Sequence, residues 1–309
     1  MNNTTYGVEL ELINITEEQA AEALLAAGIK AQAVPSSAYS VPTGYWKICP
    51  DGSIRGGRTA EAVSPVLNAQ SLATVVKVAK VLKAAGAEVD RSCGVHVHIG
   101  ANTMGLNNLK ARGRFVYNWH SIHNYILMVT SPSRINNRYC KPVTIGYADI
   151  ERNGMERGIE ESPQHQYNDD DSCGCGRYCG YRYTSINTAS LKKHKTLEVR
   201  VFNGSTDGET VLAWTKLVEA IAKASVAGVM FEQLEEELNI KAFKQFRTFL
   251  QSPEYIAGMR NIISYLVDNG FLIPAVADRL YKRLNKMPEL IRANGNSNEW
   301  VDELEAGEN

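Results

Sequence analysis

Three short stretches of alternating residues constrain the fold of this chain more than anything else in it. They read Val8-Glu9-Leu10-Glu11-Leu12, Val95-His96-Val97-His98-Ile99 and Leu197-Glu198-Val199-Arg200-Val201. Side chains alternate across a strand. The period of two therefore predicts β-strands with one aliphatic face and one face that carries Glu9 with Glu11, His96 with His98, or Glu198 with Arg200. A half-solvated face tolerates any polar residue, and a single Glu-x-Glu strand is most often a pair of solvated carboxylates. Here all six polar positions are Glu, His or Arg, with no Thr, Lys, Ser or Gln among them. Carboxylates and imidazoles bind divalent cations, and a guanidinium pairs with phosphate or carboxylate, so the strands predict a sheet with one chemical face.

The rest of the chain is ordinary in composition. At 309 residues, 44% hydrophobic and 22% charged, it is long enough to bury a large core. A net charge of -1 supplies no overall attraction to a polyanion, and the basic runs at 110–114 and 192–195 are short. They read as solvated faces or local phosphate contacts, so neither a nucleic acid nor a membrane is an expected partner. No stretch reaches about 18 consecutive apolar residues, and the first strand starts by Tyr6, which leaves no room for a signal core before it. Cys49, Cys93 and Cys140 are scattered while Cys173, Cys175 and Cys179 crowd one polar loop, unlike a secreted disulfide framework. A cytoplasmic protein is expected.

Thr16 with Gln19 forms a capping-box pattern, and the Ala/Leu-rich run behind it stops at Gly28, which predicts a helix. Residues 29–65 are turn-rich, with a hairpin or loop at Asp51-Gly52-Ser53 and a strand near Glu61-Ala62-Val63. A second helix is expected from Ser71 through Val75, Val78 and Leu82 to Gly86, and a third, rich in aromatics, over 109–129. The order of strands and helices predicts an α+β layer arrangement rather than a doubly wound parallel sheet. Residues 138–181 read as a long polar loop. From Glu209 the pattern is helical, with Val211, Trp214, Val218 and Ile221 on one stripe. The division expected is a catalytic domain over 1–230 and a helical extension over 231–309 with a frayed tail.

Further signatures lie in order between the strands: Asp51-Gly52-Ser53, Glu61 with Ser64-Pro65, Ser131-Pro132-Ser133-Arg134, Arg138-Tyr139-Cys140, Arg182-Tyr183 with Asn187, and Phe202-Asn203-Gly204-Ser205. With the three strands they resemble the amidoligase family, one of the glutamine-synthetase-like carboxylate–amine ligases, from about Tyr6 to Trp214. The resemblance implies a curved antiparallel sheet of the glutamine synthetase catalytic-domain type, with flanking helices, whose concave face binds ATP and Mg²⁺ or Mn²⁺. It implies Glu9, Glu11, Glu61, His96 and Glu198 as metal ligands converging on one cavity. Arg200 and His98 would lie near the nucleotide, and Glu61, Glu198 and Arg200 would serve catalysis. Arg134, Arg138 and Arg182 are candidates for holding a substrate carboxylate or the phosphates, Arg182 on the nucleotide side and Arg134 and Arg138 on the substrate side.

The chemistry is coherent with that implication. A carboxylate does not condense with an amine at neutral pH, because its oxygen is a poor leaving group until ATP converts it to an acyl phosphate. Phosphoryl transfer needs charge neutralisation more than acid–base work, which clustered divalent cations and an arginine supply. The expected activity is an ATP-dependent ligase joining a carboxylate and an amine, each a small molecule or a peptide, with the oligomeric state left open. A metal-dependent hydrolase would use the same Glu/His face but has less need of Glu198-x-Arg200; a non-catalytic binding protein would have no reason to keep the whole set. His120 and His123, three apart on a helix, read as structural. Gly174, Gly176 and Gly180 match no phosphate-binding loop. Zinc on Cys173, Cys175 and Cys179, with Cys140 or His165 as fourth ligand, weighs less than a reduced loop, which is expected at the mouth of the cavity as a lid.

Overall fold

The computed structural model describes residues 3–134, 137, 140, 141, 184–188, 190–240 and 253–293. The fold is α+β, with seven strands among the described residues in a mixed sheet that does not close. The described residues fall into two compact units, one within 3–98 and 202–215 and the other within 99–201 and 216–293.

The first unit holds β1 (Tyr6–Ile13), β2 (Ala31–Ala33), β3 (Trp46–Cys49), β4 (Thr59–Val63) and the histidine-bearing part of β5 (Gly94–Gly100), in the order β2-β3-β4-β1-β5. Antiparallel pairing sets Glu11 opposite Glu61, Glu9 opposite Val63, and Cys49 opposite Glu61 on its other side. The apolar face carries Leu10, Leu12, Ile48, Ala60 and Ala62, all buried. Helix α1 (Glu17–Ala26) packs against β2, β3 and β4 and against α2 (Thr74–Ala84), which buries Val75, Val78, Ala79 and Leu82 on the predicted stripe. The capping box is formed: Gln19 N donates to Thr16 Oγ1 at 3.3 Å and Thr16 N to Gln19 Oε1 at 3.1 Å.

The wholly antiparallel sheet implied by the sequence is corrected at this edge, where β2 runs parallel to β3. Parallel neighbours need a long connection, and residues 34–45 provide it. Neither strand alternates strongly enough to be read from the sequence, since Ala31-Gln32-Ala33 and Trp46-Lys47-Ile48-Cys49 are too short to show a period.

Close packing explains two glycines. A Cβ on Gly204 would stand 2.5 Å from Cβ of Cys93, and one on Gly208 would stand 2.5 Å from Cα of Val76 in α2. The first belongs to the Phe202-Asn203-Gly204-Ser205 signature, whose backbone docks there with Gly204 N donating to Cys93 O at 2.9 Å. Phe202 stacks on Trp214 with centroids 4.9 Å apart, and both rings are fully buried.

The second unit contains β7 (Thr196–Asn203) through Val201, paired antiparallel to β6 (Ile186–Asn187), with Asn187 opposite Glu198. Around them lie α3 (Leu109–Ile126), the later part of α4 (Gly208–Val226), α5 (Pro253–Asp268) and α6 (Pro274–Ala293). Asn118 on α3 is satisfied on every side: its Nδ2 donates to Ser225 Oγ (2.9 Å) and Val229 O (2.8 Å), and its Oδ1 accepts from Phe231 N (3.0 Å). Tyr125 meets Tyr255 edge-on at 5.2 Å, and Arg283 Nε on α6 donates to Val129 O at 3.0 Å. Among the described residues no helix is long and apolar enough to cross a membrane.

His120 and His123 are both buried on α3, and no third acidic, histidine or cysteine ligand atom gathers with them among the described residues. Burial first, and the neighbouring His120 second, push His123 down to about 3 from its ordinary 6.5. A depressed histidine is bound by fewer protons in the folded than in the unfolded state, so stability is held above pH 6.5 and lost as the pH falls toward 3. Wild-type protein should lose stability by up to about 1.4 kcal/mol per pH unit from this residue over that window. His123→Leu should flatten the slope, as read by urea denaturation at a series of pH values; an unchanged slope would show that the burial of this imidazole is not what makes the fold acid-sensitive.

Candidate functional site

The polar face of the first unit is built by three neighbouring strands and a turn. On β1, Glu9 and Glu11 point the same way because they are two apart, and β4 adds Glu61 to that face through its register with Glu11. Strand β5 presents His96 and His98. Glu9 Oε2 lies 2.8 Å from His96 Nδ1, and its Oε1 lies 3.2 Å from His98 Nε2, so one carboxylate spans both imidazoles. The far side of the His96 ring faces Glu11, with Nε2 3.4 Å from Oε1. Glu11 Oε2 accepts from Gly94 N at 2.6 Å, where the chain enters β5.

Ligand atoms of Glu9, Glu61 and His96 lie within 4.8 Å of one another, and so do those of Glu11, Asp51 and Glu61. Glu61 is common to both groups. Asp51 comes from the turn after β3, where its Oδ1 accepts from Ser53 N at 2.5 Å. Glu11, Glu61, His96 and His98 are buried, whereas the Glu9 side chain is 21% exposed and marks the open side of the cluster.

The electrostatics separate the two central carboxylates. Burial works against ionised Glu9, but the charge of His98 and hydrogen bonds from both histidines outweigh it and hold its carboxyl well below the usual range. Glu61 goes the other way: burial, then the negative charges of Glu9, Asp51 and Glu11, push it well above. Cys49, opposite Glu61 on β3, donates its S–H to Glu61 Oε2 at 3.4 Å. Burial and the adjacent carboxylate push that thiol up to about 12. Oxygen-rich groups with one imidazole are a donor set that fits Mg²⁺ or Mn²⁺, and a cation would remove the repulsion that raises Glu61. The residues present therefore fit the divalent ion that the sequence implies.

In the second unit Glu198 is buried with both oxygens occupied. Oε1 takes the Nη1 of Arg200, two residues along β7, and Oε2 accepts from Asn187 Nδ2 at 2.7 Å. Arg200 is anchored by its own backbone, whose N–H donates to Ser185 O at 2.9 Å. Arg134 is buried at the end of a 3-10 turn, Pro132–Arg134, where its N–H donates to Ser131 O and its carbonyl accepts from the Cys140 thiol. Arg138, Arg182 and the loop with Cys173, Cys175 and Cys179 lie outside the described residues, as do the zinc and lid expectations attached to it.

Three participants were not singled out as site residues from the sequence. Asp51 and Asn187 lie inside linear signatures, which is the signal that could have found them. Cys49 carries no signal until the β3–β4 register is known. Ser64, in contrast, is structural: its Oγ accepts from Val8 N at 2.9 Å and closes the end of the β1–β4 ladder.

Because the folded pKa of Glu61 lies above its ordinary 4.5, its contribution favours the fold in acid and is lost as the pH rises. At neutral pH, without a cation, the ionised group costs stability. Glu61→Gln should therefore raise the Tm of chelator-treated protein by a few degrees, about 2–4 °C per kcal/mol for a domain of this size, and, if Glu61 is a ligand, weaken any further rise of the wild-type Tm in millimolar Mn²⁺. Differential scanning fluorimetry with EDTA and with MnCl₂ reads both effects, and a variant that keeps the full Mn²⁺ shift would exclude Glu61 as a ligand.

A search of the curated proteins returns no match. The family model described as "Putative amidoligase enzyme" matches residues 2–222, which takes in β1 through most of α4. Residues of both polar clusters, Glu9 to His98 and Asn187 to Arg200, fall inside the matched span, and the chain belongs to the amidoligase family.

Proposed function

We propose that the protein is an ATP- and Mg²⁺- or Mn²⁺-dependent ligase that joins a carboxylate to an amine through an acyl phosphate. The observation that carries this reading is the gathering of Glu9, Glu11, Asp51, Glu61 and His96 in one cluster, with Glu11, Glu61 and His96 buried, within a chain of the amidoligase family. Carboxylates in that number are costly to bury for structural reasons alone, since hydrophobic residues of the same volume stabilise a core better. A bound divalent ion would supply charge neutralisation for phosphoryl transfer.

The side chains divide the work by chemistry. Glu9, Glu11, Glu61 and His96 hold the cation, with Asp51 beside them, and His98 orients Glu9. Arg200, always charged and fork-shaped, meets charge on the transferring phosphoryl group, with Glu198 holding the guanidinium and Asn187 holding Glu198. Glu198 also serves as an anionic ligand when the pair opens. Arg134, Arg138 and Arg182 are offered as the groups that recognise the substrate carboxylate and the phosphates. A hydrolase built on the same Glu/His face would cleave amides without nucleotide and would not depend on Arg200.

Purified protein supplied with ATP, Mg²⁺ and a mixture of amino acids should release ADP and yield condensed products by mass spectrometry. Arg200→Ala should leave cation binding largely intact and lower ATP-dependent turnover by about 10²-fold, the scale of losing one partner of transition-state charge. Glu198→Gln should lower both. Full activity of Arg200→Ala with a productive substrate pair would remove the guanidinium from the reaction, and amide hydrolysis independent of ATP would favour the hydrolase.

A further inference from the structure

Each carboxylate of the Glu11–Asp51–Glu61 group has one oxygen already committed to a donor of the protein. Glu11 Oε2 accepts from Gly94 N (2.6 Å), Asp51 Oδ1 from Ser53 N (2.5 Å), and Glu61 Oε2 from the Cys49 thiol (3.4 Å). Two of these donors are backbone groups, which no substitution short of proline removes. The third is a side chain, fully buried, directly across β3–β4 from Glu61, which in turn lies directly across β4–β1 from Glu11. A row of thiol, carboxylate, carboxylate thus crosses three strands, with the neutral donor at its outer end.

We propose that Cys49 determines which cation the site accepts, by holding Glu61 Oε2 so that Glu61 offers a cation one oxygen rather than two. The inference rests on the cation-binding reading given above. Mg²⁺ and Mn²⁺ take six ligands at short distances, commonly with one oxygen from each carboxylate, whereas Ca²⁺ takes six to eight at longer distances and is often chelated by both oxygens of a carboxylate. Groups that orient a ligand from behind change affinity without touching the ion. A site whose carboxylates are each pinned at one oxygen therefore favours the small cation, and freeing Glu61 relaxes that preference. Cys49 is a positioning residue in this account, and the species that acts is the S–H donor.

The test is isothermal titration of the chelator-treated full-length protein with MnCl₂ and separately with CaCl₂, on wild type, Cys49→Ala, Cys49→Val, Cys49→Ser and Glu61→Gln. The expected result is that Cys49→Ala and Cys49→Val each reduce the ratio of Mn²⁺ to Ca²⁺ affinity by about tenfold, the low end for a ligand-orienting partner because a thiol is a weak donor. Cys49→Ser keeps a donor and should stay within about twofold of wild type. Valine fills the space that alanine leaves, so agreement between the two separates loss of the donor from loss of packing. A ratio unchanged in both apolar variants, with Mn²⁺ binding lost in Glu61→Gln, would overturn the role of Cys49 and leave the cation site standing. An equal fall in Cys49→Ser would overturn it as well, since the donor would then not be what matters. Undiminished Mn²⁺ binding by Glu61→Gln would exclude Glu61 as a ligand and overturn this proposal, and no Mn²⁺ binding by the wild type would remove the cation reading itself.

Discussion

Carboxylates crowded into a largely buried cluster repel one another, and the first unit is organised around that fact. At about 4 Å and an effective dielectric near 20, two like charges cost each other about 4 kcal/mol. Atoms of Glu11, Asp51 and Glu61 lie within 4.8 Å, so the repulsion has to be met at every member. His96 lies between Glu9 and Glu11, a backbone N–H meets Glu11, a turn N–H meets Asp51, and a thiol meets Glu61. What remains uncompensated is concentrated on Glu61, whose carboxyl is pushed up while that of Glu9 is held down. The apolar side of the same strands is buried, with α1 packed against β2, β3 and β4, and the ladder pairing fixes the register of the row.

The second unit solves a smaller version of the problem within itself. Glu198 is buried too, but a guanidinium two residues away and the amide of Asn187 take its oxygens. Glu198 has a guanidinium beside it, whereas ligand atoms of Glu11, Asp51 and Glu61 lie within 4.8 Å of one another.

Much of this was legible in the sequence because alternation is unambiguous. Val8-Glu9-Leu10-Glu11-Leu12 has one interpretation as a strand, and the common face of Glu9 and Glu11 follows at once; so does that of His96 and His98. Thr16 and Gln19 announced the start of α1. Proximity between strands was harder. That Glu61 faces Glu11 depends on a register set by chain connections, and that Cys49 lies behind Glu61 depends on β3, four residues with no period of their own. The parallel edge was invisible for the same reason. Asp51 was read as part of a turn, which it is; that the turn delivers a carboxylate to the cluster is a property of the folded arrangement and not of three letters in a row. Asn187 and Gly204 show the reverse case, in which a signature was visible but its physical cause, a hydrogen bond to Glu198 or a close backbone contact with Cys93, was not.

The shortness of β2 has a consequence of its own. An outermost strand exposes a row of unpaired N–H and C=O groups on which another chain can build, and long, flat, apolar edges are where sheets recruit neighbours into aggregates. Here the edge is three residues, Ala31–Ala33, with Gln32 exposed between two small side chains and Lys30 directly before it. A short edge with a lysine beside it is a poor template for an added strand. Among the described residues the sheet ends on this side in a strand too short to offer more than a few free backbone groups.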